Sequence, residues 1–186
     1  AQVVTYASAL AALTTIEYAA YAISGEGARL SLFLLAPLTL TAYLRSRLLV
    51  FLLPAFVVGL AAAPVLGLWA GLSPLQVGTA ALLTLLLLGG YTVFLVWGSA
   101  SDEDIGSVAE GGMQTLLQEE LPTTPRRLQL LGVSIVLLCL MIALTWKLPL
   151  AAALLAMAAL DSVVVSITWR YALKRVRSLL DFHVVD

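Results

Sequence analysis

The sequence predicts an all-α integral membrane protein, a bundle of about five transmembrane helices with one further helix lying in the membrane interface. Composition is the first observation behind this. Hydrophobic residues make up 61% and charged residues 11% of the 186, at a mean hydropathy of +1.02, whereas soluble domains carry roughly 25% charged residues. The second is segmentation: the apolar residues gather into five runs, at 2–23, 48–68, 75–97, 128–146 and 150–169. Each is near the ~20 residues a helix needs to cross hydrocarbon. The third is where the charges fall. Nine of the ten Lys and Arg residues lie in 24–47, 99–127 or 170–186, and Lys147 alone lies elsewhere.

Residues 2–23 form the first expected span, apolar apart from small hydroxyls, tyrosines and Glu17. No basic stretch or small-residue cleavage site precedes it, so it does not read as a signal peptide. The segment 24–47 then interrupts the apolar blocks in a patterned way. Glu26 falls where the first turn of a short helix begins, and a carboxylate there interacts favourably with the helix dipole. Pro37 ends that helix because it has no amide hydrogen to donate. At 26–36 the helix is too short to span, which leaves it in the interface. Arg45 and Arg47 set the start of the next span at headgroup level.

Within 48–68, Pro54 and Pro64 are expected kinks. Gly71-Leu72-Ser73-Pro74 reads as a tight turn, with Ser73 as N-cap and Pro74 in the first helical position. Gly89-Gly90, inside the third span, are small residues suited to close helix approach. Residues 99–127 form the longest polar segment, a cytoplasmic loop around a short helix at 113–121. Its Asp102 and Asp104 supply too few oxygens for a hard cation and read as solvated surface. Residues 147–149 make a minimal turn, and 170–186 a cytoplasmic tail.

The stretch from Glu26-Gly27 through Ala36-Pro37-Leu38-Thr39 to Tyr43-Leu44-Arg45-Ser46-Arg47-Leu48-Leu49 resembles, without a gap, the coupling-helix region of ABC-2-type transport permeases. That region pairs a glutamate with a glycine, continues through a leucine-rich stretch to A-P-L-S, and opens the next span with a basic residue. Glu26, Gly27, Ala36, Pro37 and Arg47 take the family positions. Ser24-Gly25 replaces the usual charged pair, and Leu40 stands where a second proline is frequent. The resemblance implies the permease component of an exporter, with a second permease copy or half beside it. ATP would be hydrolysed by a separate ATP-binding cassette ATPase whose groove receives the short helix, through an apolar face of Leu30, Phe33 and Leu34. The family has six spans with this elbow between the second and third. The five runs then correspond to the second through sixth, and a first span is expected beyond this chain.

Charge sets the expected orientation independently of that resemblance. By the positive-inside rule the three basic segments face the cytoplasm, with the N-terminus and the turns at 69–74 and 147–149 outside. This is the arrangement of a multi-pass plasma-membrane protein. The basic residues form no single patch of the kind nucleic acid requires. A lone Cys139 offers neither a disulfide framework nor a cysteine metal site, and one histidine, His183, cannot ligate a haem pair. No phosphate-binding glycine loop, zinc-protease pair or serine-hydrolase elbow occurs. The chain is therefore expected to hold no catalytic residue, cofactor or metal of its own.

Two acids fall inside expected spans, Glu17 and Asp161, and a charge in hydrocarbon costs roughly 2.5 to 3.5 kcal/mol. The structural reading places both off the midplane, reaching toward headgroups or pairing with Arg170 or hydroxyls such as that of Ser162. The functional reading makes them an intramembrane polar site, and the chain a small proton-coupled carrier. A non-catalytic anchoring subunit of a larger membrane complex is the remaining alternative.

Overall fold

A computed structural model of the chain describes residues 1–20, 22–23, 39–101 and 125–182. The expected interfacial helix, with Glu26, Gly27, Leu30, Phe33, Leu34 and Pro37, lies outside the described residues, as do 102–124 and the side chain of Glu17. Among the described residues there are five α-helices and no strand: α1 Gln2–Ala19, α2 Leu40–Trp69, α3 Pro74–Gly98, α4 Pro125–Lys147 and α5 Leu150–Phe182. A 3-10 turn, Ser99–Ser101, continues α3. The protein is thus an all-α bundle. Helices α2 to α5 are long and apolar enough to cross a membrane, and α1 is a shorter apolar helix.

Helix starts follow local chemistry. Thr39 is extended (φ −73°, ψ 146°) and its Oγ1 accepts from the Ala42 amide at 3.3 Å, so α2 begins at Leu40 and takes in Arg45 and Arg47. That is eight residues before the apolar run at 48, because capping and not hydropathy decides where a helix begins. The helix then runs unbroken through Pro54 and Pro64. At α3 the capping is reciprocal. Ser73 Oγ accepts from the Gln76 amide at 3.5 Å, Gln76 Oε1 accepts from the Ser73 amide at 3.0 Å, and Pro74 opens the helix. Gly71 makes the preceding turn with φ +70°, a conformation that L side chains rarely adopt.

Helix α3 is the centre of the bundle, packed against α1, α2, α4 and α5. Of its apolar window 61% is buried, against 11–22% for the other three long helices. A helix apolar on every face is the kind that others surround. Its closest neighbour is α2, which turns a stripe of Ala55, Gly59, Ala63 and Gly67 inward. These small residues recur every fourth position, on one face. They admit Leu88 and Thr84 against Gly59, and Val77 against Gly67.

The connections divide between two ends. At one, Ala1, Ala70, Leu72, Gln76, Trp146 and Leu150 surround a hollow of about 510 Å³, and Trp146 Nε1 donates to Thr5 Oγ1 at 3.0 Å. At the other, the Ile23 amide donates to Ser99 Oγ at 3.0 Å, and Trp97 Nε1 donates to the Leu44 carbonyl at 3.4 Å. Trp97 also meets Trp169 of α5, ring centres 4.9 Å apart and tilted by 53°. Successive helices therefore alternate in direction. Arg45, Arg47, Arg126, Arg127 and Arg170 belong to the second end, and Lys147 to the first.

Candidate functional site

Asp161 lies about three turns into α5 from Leu150, near half the ~30 Å thickness of a hydrocarbon core. The expected span ended at 169, but α5 continues to Phe182. The side chain of Asp161 is turned toward α3. Its carboxyl group enters a notch on α3 that exists because residue 90 is glycine: a Cβ there would overlap Asp161 Oδ1. The Met141 methyl of α4 borders the same notch. Oδ1 is buried with no hydrogen-bond partner, and no ion pair with Arg170 compensates it. The other expected partner is occupied as well, since the hydroxyl of Ser162 donates to the Ala158 carbonyl at 2.8 Å.

Other polar groups are buried on α3 and α4. On α4 the buried positions are Arg127, Leu130, Ser134 and Met141, spaced by three, four and seven residues so that they share one face. Tyr91, next to Gly90, is fully buried, and its hydroxyl faces Ser134 without reaching hydrogen-bond geometry. Ser134 donates instead to the Leu131 carbonyl at 2.8 Å. Thr92 is also fully buried with its hydroxyl unpartnered. By contrast Thr84 and Thr168 satisfy themselves on their own helices, at 2.9 Å to Ala80 O and 2.6 Å to Val164 O. The acid Oδ1 and two hydroxyls of α3 are thus buried without a hydrogen-bond partner.

No family model, curated protein or solved structure matches the chain. The site must be read from its own chemistry. Among the described residues no three His, Cys, Asp or Glu side chains come together to hold a metal ion. A lone buried carboxyl group can take up or release a proton.

Of the residues singled out from sequence, the structure describes Arg47 and Asp161 and brings them to different parts of the bundle. Arg47 stands in the second turn of α2 with its guanidinium 5.6 Å from the Tyr43 ring centre. A cation over an aromatic face is attracted by the ring quadrupole. Tyr91, Thr92 and Ser134 were not singled out. The available signal was a polar residue inside an apolar run, and it is weak because helix backbone satisfies most buried hydroxyls.

Proposed function

We propose that the chain is the membrane-spanning permease component of an ABC-2-type exporter, driven by a separate cytosolic ATPase. Its plasma-membrane orientation would put the basic end of the bundle in the cytoplasm and the N-terminus outside. The observation that carries the reading is the junction at Thr39. The described part of the family-like stretch, 39–49, forms the cap and first turns of α2. Arg47 and Tyr43 stack in the first two turns, and the Leu44 carbonyl is held by Trp97 of α3. A push delivered to 26–37 by a closing ATPase pair would pass through this junction into α2, and through its small-residue face into the central helix. Packed helices transmit such shifts because interiors are close to incompressible.

Changing Phe33 and Leu34 to aspartate puts charge on the face offered to the ATPase groove. Anchors of this kind cost more than about 2 kcal/mol each when lost, roughly a thirtyfold change in affinity. The variant should insert normally, but fail to co-purify with an ATPase and fail to stimulate its hydrolysis. Unchanged co-purification would instead favour the anchoring-subunit reading.

One observation favours a second reading, a small proton-coupled carrier: the buried, unpartnered Oδ1 of Asp161. Asp161→Asn keeps the shape of the side chain and removes its proton chemistry. Loss of transport with normal assembly would favour the carrier, and intact transport the exporter.

A further inference from the structure

Helix α5 turns one stripe inward, running through Met157, Asp161, Val164, Thr168 and Ala172 at spacings of three and four residues. Asp161 is its one ionisable member. The other four are buried and Asp161 is half-buried. Thr168 satisfies its hydroxyl on its own helix, whereas Asp161 Oδ1 is buried with no hydrogen-bond partner. What receives that oxygen is carbon, the Gly90 backbone of α3 and the Met141 methyl of α4.

We propose that Asp161 is seated on Gly90 as the neutral acid and that ionisation unseats it, which makes the contact between α3 and α5 a proton-controlled latch. A seat of carbon atoms offers a carboxylate nothing in place of the water it has lost, and an unpartnered charge there costs far more than an unpartnered neutral group. Among the described residues of the elements packed on α5, α3 brings one titratable side chain beside the seat, Tyr91, whose hydroxyl is directed to Ser134. Helix α4 carries Arg126 and Arg127 in its first turn, Lys147 in its last and an exposed Cys139 between. Helix α2 carries Tyr43, Arg45 and Arg47 in its first eight residues, and the next charge on α5 is Arg170, nine residues on. The proton on Asp161 is thus governed by the seat. Trp97 meets Trp169 about two turns further along the same two helices, so the latch adjoins the contact that closes this pair at the basic end. The carrier reading gives Asp161 a proton to transport; the latch concerns packing and rests on neither transport reading.

The seated form holds the proton, so the contact is strong at low pH and weakens as pH rises through the titration of Asp161. The test is denaturant unfolding of the purified chain in detergent, from about pH 5 to about pH 9, for wild type and Asp161→Asn. Their ratio of folding equilibrium constants isolates Asp161, because every other group titrates in both proteins. Above the ordinary aspartate range near ~4, that ratio should fall by up to about tenfold per pH unit, then level off once the seated group has ionised. Gly90→Ala fills the seat and should abolish most of the fall. Met141→Ala opens the seat to water and should end the fall at lower pH. Coinciding pH profiles for wild type and Asp161→Asn would overturn the latch, and a ratio that rises with pH would mean that the carboxylate is the seated form. An undiminished fall in Gly90→Ala or, should that variant not fold, in Met141→Ala would refute the seat.

Discussion

Asp161 and Gly90 are a pair whose meaning is steric before it is electrostatic. A methyl group on residue 90 would occupy the place of Asp161 Oδ1, and overfilling a packed interior costs about 1–3 kcal/mol. Gly90→Ala is therefore expected to destabilise the purified protein by roughly that amount. In an Asp161→Ala background the same change should cost much less, because the carboxyl group is gone. Denaturation of the four proteins of this double-mutant cycle measures the difference. Additive effects would mean that the two residues do not share the notch. Both residues were legible alone, Asp161 as a charge within an apolar run and Gly90 as a site of close approach. That they meet was not, because the contact joins α3 to α5 across the chain and depends on the rotation of each helix about its axis.

At the scale of the element, α2 shows how little hydropathy says about a helix's limits and how much small residues say about its partner. Its start is set by one hydroxyl, so Thr39→Ala should cost about 1 kcal/mol and raise amide exchange over 40–43 while leaving the helix beyond Pro54 protected. Equal protection in both proteins would relieve Thr39 of that role. Its inward face is set by Ala55, Gly59, Ala63 and Gly67. Gly59→Leu meets Leu88 and Thr84 and should separate α2 from α3 at a cost of about 1–3 kcal/mol. The same change at Gly78, where no neighbour approaches, should be tolerated on steric grounds. A thermal melt of the two variants checks the contrast. The four-residue spacing of the stripe was present in the sequence. Its significance depended on which helix came to lie against it.

At the scale of the whole molecule, the helices gather basic residues at one end of the bundle, and the positive-inside rule turns this gathering into an orientation. In a Cys139→Ala background, a cysteine at Ser73 should react with an impermeant reagent from outside intact cells. A cysteine at Ser107 should react only after permeabilisation. The reverse pattern would invert the proposed orientation, and with it the side from which an ATPase reaches 26–37.

What the sequence by itself determined was the class of the protein and the local punctuation of its helices. Apolar runs of this length have one low-energy form in hydrocarbon, where every backbone donor must be satisfied within the segment. The Ser73-Pro74 start was equally readable, because a capping box is made by neighbours in the chain. Only the tertiary structure decided that α3 is the helix the others surround and that Asp161 closes on Gly90. In a chain so uniformly apolar, hydropathy cannot tell a face that meets lipid from one that meets protein. The choice rests on shape, on where glycine and alanine let one backbone approach another, and shape complementarity belongs to pairs of helices rather than to either sequence alone.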